Sequence, residues 1–222
     1  MSQQSLEQEQ PAQQKPEDTR TVFCTLKGHF PNPSEKIKTF DFLQASVSAV
    51  ALIERFGKIF SPVIYDMGGN ISKLTDKYKE DEESNLYLED MILKEHAEGG
   101  LIAADALLWL RRGLNFLSMF FQLVIEDTLA DRCASDLAPL LRRAYSETLE
   151  PYHGWLGMQL FNVLSRFAPT RRQLFYTLAL ERNDMDEMVL LRMRSYNNNM
   201  KACVRRLADF YREIGLESAG NA

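Results

Sequence analysis

The sequence predicts an all-α fold in a single domain, on three observations. Apolar residues recur at helical spacing over most of the chain beyond residue 40. The one short β-like run, VFCTL at residues 22–26, stands alone, and a lone strand has nothing to pair with. Several helical segments are hydrophobic on more than one side, which requires stacked layers of helices and not a simple bundle. With 222 residues, the chain can bury a full core without disulfide or metal staples.

The elements follow in order. Residues 1–20 (MSQQSLEQEQPAQQKPEDTR) are rich in Gln, Glu and Pro and hold almost no large apolar side chain. Such a segment cannot bury enough surface to offset its ordering entropy, so a disordered tail is expected there. It also lacks the apolar run of a secretory signal. Residues 21–215 form the expected domain, and 216–222 a short C-terminal tail. Residues 40–56 carry apolar positions at helical spacing. Ser61-Pro62 reads as a cap followed by a first-turn proline, starting a helix that runs to about residue 78. The acidic stretch KEDEESN breaks it. A third helix begins near residue 86, and a long one covers 101–125. Another spans 136–149, and Pro151 opens a helix that ends before Pro169. Segments 171–180 and 186–211 complete the set.

Composition excludes several function classes. Hydrophobic residues make up 45% and charged residues 26%, as in ordinary globular proteins, and the net charge is −5. General attraction to nucleic acid or to acidic membranes is therefore not expected. Cys24, Cys133 and Cys203 are odd in number and far apart, with no CxxC spacing, so neither a disulfide framework nor a metal site is indicated. A reducing cytosol is the natural compartment. No apolar stretch approaches the ~18 residues of a membrane span.

Three segments carry candidate chemistry. In the helix after Pro62, Val63, Met67, Ile71, Leu74 and Tyr78 form an apolar stripe. Asp66, Asn70 and Lys73 lie along its edge at i, i+4 and i+7, so their side chains converge. A carboxylate, an amide and an ammonium together donate to and accept from neutral hydroxyls, which suits a sugar. The plainer reading is a solvated helix edge with an Asp–Lys attraction. Gly68-Gly69 argues for more: each glycine inside a helix costs about 1 kcal/mol relative to Ala, so the pair implies a close approach by another group.

The helix at 101–125 is apolar on two sides, and one side holds Asp105, Trp109, Arg112 and Phe116 at i, i+4, i+7 and i+11. A charged pair beside a tryptophan on a mostly buried face is unusual. Either Asp105 and Arg112 bridge across the Trp edge, or Trp109 is a platform for the apolar face of a sugar ring. After Pro151, His153 shares a face with Leu160, Phe161 and Leu164, as a core histidine would. Trp155 points away with Gln159, Asn162 and Arg166, and tryptophan on a polar face favours a membrane–water interface.

The runs DMGGNISK, ALLWLRRGLNF and YHGW, in this order and spacing, resemble the glycolipid transfer protein family, over roughly residues 40–211. The resemblance implies a two-layer helical sandwich that takes a sphingolipid's chains between its layers and its headgroup in a surface site. It implies that Asp66, Asn70 and Lys73 hydrogen-bond the sugar, that Trp109 stacks under it, and that Asp66 and His153 hold the ceramide amide. Phe116 and Phe161 match pocket-lining positions, and Trp155 matches a membrane-contacting tryptophan. Relatives that carry ceramide phosphate have cationic residues in place of the Asn and the Trp. Asn70 and Trp109 therefore place this chain on the glycolipid side. Asp105 departs from the family's sugar binders, which have an apolar residue there.

The expected function is intermembrane transfer of a glycosphingolipid by a monomeric cytosolic carrier in transient membrane contact, without cofactor, metal or nucleic-acid partner. A ceramide 1-phosphate carrier, or a lipid sensor acting through a protein partner, would use the same site. An enzyme is disfavoured: no GxSxG elbow or HExxH helix occurs, and His29, His96 and His153 lack metal-ligand spacing, although Asp66 and His153 could form an acid–base pair.

Overall fold

A computed structural model describes residues 19–33 and 35–217. The first 18 residues of the expected N-terminal tail, and 218–222 of the C-terminal one, lie outside the described residues. Among the described residues there are eight α-helices and no β-strand: α1 (Thr39–Glu54), α2 (Ser61–Glu80), α3 (Leu88–Ala97), α4 (Ile102–Leu129), α5 (Ala138–Thr148), α6 (Trp155–Leu164), α7 (Arg171–Leu178) and α8 (Asp186–Glu213). The all-α class and the two-layer helical sandwich are as expected.

The long helix α4 organises the molecule. It packs against α8, α2 and α5, and α2 packs in turn on α1. Its two-sided apolar pattern explains this position: Leu107, Leu110, Leu114 and Phe121 are buried on one side, Leu108, Phe120 and Leu123 on the other. Burying each such side chain contributes about 1.5–3 kcal/mol, so a helix with two buried faces is stable only between layers. No side chain at its own N-cap, Leu101, satisfies its first amides. The Glu95 carboxylate of α3 does so instead, accepting from the Ala103 and Ala104 N–H groups at 2.9 Å each. At the other end, Asp127 accepts from Arg171, Arg132 and the Ala134 N–H, tying α4 to α7. Helix α2 buries Met67, Ile71 and Leu74 and leaves Tyr65 and Lys73 in solvent.

Several sequence expectations change. The β-like run holds a 3-10 turn at Val22–Cys24. Without a neighbouring strand its apolar residues serve as plugs: Val22 and Phe23 are buried, and the Phe23 ring lies 5.2 Å from that of Tyr196. Ser61 does not cap α2. The Lys58–Phe60 turn before it is already 3-10 helical, so the Ser61 hydroxyl donates back to the Lys58 carbonyl at 2.6 Å and Phe60 holds the cap position. Pro62 does sit in the first turn. Pro151 opens only a 3-10 turn, Glu150–Tyr152. His153 and Gly154 are then extended, with ψ of 128° and 177°, and α6 starts at Trp155.

Residues at both ends of the described chain make contacts. Arg182 donates to the Arg20 carbonyl, within the segment expected to be a tail. Leu216 and Glu217 fold back on the end of α8, their N–H groups both donating to the Tyr211 carbonyl at 2.9 and 3.1 Å, and Leu216 packs on the core.

Candidate functional site

A cavity of about 690 Å³ opens among α1, α2, α4, α5, α6 and α7. Its walls are mainly apolar, with Phe56, Val63, Leu117, Phe120, Leu160 and Leu174 among them. Asp66, Asn70, Lys73, Trp109, Phe116, His153 and Phe161 all line the same cavity. Seven of the eight residues singled out from the sequence thus converge, from three separate segments. The polar members gather at one end, where Asp66, Lys73 and Trp109 reach solvent while Asn70 is 7% exposed. Trp155 is the exception: it stands 70% exposed at the first position of α6, next to Leu156 at 75%. Val163 and Phe167 are exposed further along the same helix and the turn after it.

Aromatic rings order the interior. Tyr145 and Phe161 stack face to face, 3.7 Å apart and 4° from parallel, and Phe116 meets Phe161 edge-on at 6.1 Å. Trp109 lies over His153 with ring centroids 6.1 Å apart and 26° between planes. The Tyr145 hydroxyl and His153 Nδ1 are 2.9 Å apart. Burial pushes the Tyr145 phenol up to about 12, so it keeps its proton. Burial holds the His153 imidazole below its ordinary range, opposed by Asp66 and reinforced by Arg112, which favours the neutral ring. Asp66 is raised, mainly by partial desolvation against the cavity wall, with His153 and Lys73 pulling the other way. The polar end therefore combines an acceptor, a neutral imidazole, an amide, an ammonium and an indole face. That set can hold neutral hydroxyl and amide groups by hydrogen bonds.

The glycines at the site differ in their surroundings. A Cβ at Gly157 would come within 3.0–3.2 Å of the His153 ring, and one at Gly113 would touch the Met67 side chain at 3.7 Å. Gly157 thus leaves room for the imidazole, whereas a Cβ at Gly113 would make only ordinary contact across the crossing of α2 on α4. At Gly68 and Gly69 a Cβ would meet no described residue within 4 Å, so the space beside both is open.

Arg112 corrects an expectation. It is 3% exposed, and its guanidinium lies 3.7 Å from the Tyr152 ring centroid and 4.9 Å from that of Trp109. Its Nη2 is 3.8 Å from Glu217 Oε1, which takes the place expected of Asp105. Asp105 itself is exposed.

Sequence reasoning missed Tyr145, Gly157 and Glu217. Leu141, Tyr145 and Leu149 all line the cavity at i, i+4 and i+8, a helical stripe that could have flagged the tyrosine. Glu217 lies past the last periodic segment and carried no such signal. Among the described residues no group of His, Cys, Asp or Glu is placed to hold a metal ion, and no helix is long and apolar enough to cross a membrane.

Comparison with known proteins adds a consistent set of likenesses. The family model described as "Glycolipid transfer protein (GLTP)" matches residues 37–180. The chain is 31% identical over 212 residues to pleckstrin homology domain-containing family A member 8 of Danio rerio, covering 89% of this chain and 38% of that protein. It thus spans well under half the length of that relative and its counterparts. To the glycolipid transfer protein of Danio rerio it is 27% identical over 192 residues, 83% of this chain and 92% of the relative. A solved structure of FAPP2, reported as selecting simple glycosphingolipids with the GLTP fold, superimposes with a TM-score of 0.81 at 27% identity, over 91% of this chain and 100% of that one.

Proposed function

Because this chain belongs to the glycolipid transfer protein family, we propose that it carries a glycosphingolipid between membranes. The reading rests on one observation: a mainly apolar cavity of about 690 Å³ that Asp66, Asn70, Lys73, Trp109 and His153 all line. A two-chain lipid drawn into water exposes many CH₂ groups at about 0.8 kcal/mol each. The cavity walls remove most of that penalty, so transfer needs no energy source.

In this reading Trp109 supports the apolar face of the sugar, and Asp66, Asn70 and Lys73 bond its hydroxyls. Asp66 also accepts the ceramide N–H. His153 is neutral: its Nδ1, 2.9 Å from the Tyr145 hydroxyl, accepts a hydrogen bond from it, and its Nε2–H donates one to the ceramide carbonyl. Phe116 and Phe161 line the chain path. Trp155, with Leu156, Val163 and Phe167, supplies an apolar surface that meets the bilayer while the lipid enters or leaves. The protein works as a cytosolic monomer, without cofactor or bond-breaking chemistry.

The test is vesicle-to-vesicle transfer by wild type, Asp66→Asn and Asp66→Val, with circular dichroism to confirm folding and mass spectrometry of the lipid. Val removes both acceptor oxygens and leaves two lipid groups unsatisfied, at roughly 1–3 kcal/mol each. Asn keeps one acceptor. A graded loss, with Asn milder than Val and the lipid recovered intact, supports a carrier. Turnover of the lipid, with both variants failing alike, points to an enzyme using Asp66 as a base. A Val variant equal to wild type removes Asp66 from the site.

A further inference from the structure

The tryptophan at the cavity mouth lies against the buried Arg112, the chain neighbour Arg111 is buried as well, and a carboxylate from beyond the last helix faces both arginines. Arg111 and Arg112 are 6% and 3% exposed. Arg111 Nη2 donates to Glu217 Oε1 and Oε2 at 2.6 and 2.7 Å, and Arg112 Nη2 lies 3.8 Å from Glu217 Oε1. The Arg112 guanidinium in turn sits between the rings of Tyr152 and Trp109. Buried charge is expensive unless balanced, and electrostatic effects are strong where water is scarce. The carboxylate is held in place: the Leu216 and Glu217 N–H groups both bond the Tyr211 carbonyl, and the Tyr211 hydroxyl donates to the Ala104 carbonyl at 2.6 Å, on the α4 segment that carries Trp109.

We propose that Glu217 is a positioning residue that sets headgroup selectivity: by countering the charge of Arg111 and Arg112 behind Trp109, it keeps the platform suited to a neutral sugar and unsuited to a phosphate. This rests on the carrier reading above. Removing its charge leaves the region behind the indole more positive by one unit. That change favours an anionic headgroup, because phosphate is recognised by cationic donors and a sugar by neutral ones. Glu217 touches no lipid; it acts through Arg112 on the ring that does.

The experiment is a competition transfer assay. Donor vesicles carry equal amounts of a one-sugar glycosylceramide and ceramide 1-phosphate, and the proteins compared are wild type, Glu217→Gln and Glu217→Asp. Glu217→Gln keeps the side-chain size and loses the charge; Glu217→Asp keeps the charge. The expected result is a phosphate-to-sugar transfer ratio that rises about tenfold or more for Gln, equivalent to about 1.4 kcal/mol, and stays near wild type for Asp. Raising the salt concentration should shrink the difference. Thermal unfolding runs alongside, since a merely structural role would lower stability without moving the ratio. An unchanged ratio for Gln, or equal changes in Gln and Asp, overturns the proposal and leaves the carrier reading standing. A wild-type chain that moves no glycolipid overturns both.

Discussion

Replacing Tyr145 by phenylalanine removes one hydroxyl and little else. The ring is 5% exposed and stacked on Phe161 at 3.7 Å, so the aromatic wall of the cavity survives. The loss is the 2.9 Å bond to His153 Nδ1. A net intramolecular hydrogen bond contributes about 1 kcal/mol. In the carrier reading the hydroxyl is the donor, and that energy biases the imidazole toward the tautomer with its proton on Nε2. Releasing about 1 kcal/mol shifts the tautomer ratio about fivefold, since RT is about 0.6 kcal/mol, and apparent affinity falls in proportion to the competent fraction. From an even ratio without the bond, the competent fraction falls from about 0.85 to about 0.5, so Tyr145→Phe should weaken glycolipid binding by about twofold or less and lower stability by about 1 kcal/mol. The assay pairs transfer rates with nitrogen-15 NMR of the His153 ring, which distinguishes the two tautomers. A ring still protonated on Nε2 in the variant, together with wild-type transfer, would refute the role given to the hydroxyl.

Trp109→Ala should largely abolish glycolipid transfer while leaving helical content intact by circular dichroism. Trp155→Ala should weaken vesicle binding, measured by co-sedimentation, more than it weakens capture of a short-chain glycolipid in solution. Equal effects on both would remove Trp155 from the membrane surface. Asp66 is raised above its ordinary 3.8 on folding, so the folded chain keeps a proton that the unfolded chain has lost. Stability must then fall as pH climbs from 3.8 through the raised value, and the penalty stays complete above it. Asp66→Asn should accordingly melt higher than wild type at neutral pH and equal to it below 3.8. A variant that melts lower at neutral pH would show that Asp66 contributes structurally.

What was legible in the sequence follows from periodicity. Residues at i, i+4 and i+7 fix a helix face whatever packs on it, so Asp66, Asn70 and Lys73 could be grouped at once, and the two apolar sides of α4 required layers. Local rules failed where tertiary partners took over. Glu95 caps α4 from another helix, so no cap residue stands before it in the sequence. Ser61 reads as a cap by type, yet the helical turn before it claims its hydroxyl. His153 was placed on a helix face, but it belongs to the extended link ahead of α6. Its direction is set by Tyr145, which lies on another helix, and by the space over Gly157, and periodicity within its own segment reveals neither contact. The Asp105–Arg112 bridge was reasonable for one helix considered alone. The acid that faces Arg112 comes from 105 residues further along the chain, beyond any local pattern.

Gly68 and Gly69, with empty space beside both, give α2 a measurable clock. Two consecutive glycines forgo about 2 kcal/mol of helix propensity, with no neighbouring side chain to make it up. Their amides should open often and take up deuterium early, ahead of the buried turn at Ile71 and Leu74. Asp66 and Asn70 flank the pair, so any ligand grasped by both spans the weak turn like a splint. Deuterium uptake at these amides then becomes a label-free occupancy gauge, fast in the empty carrier and slow in the loaded one, readable without a membrane or a modified lipid.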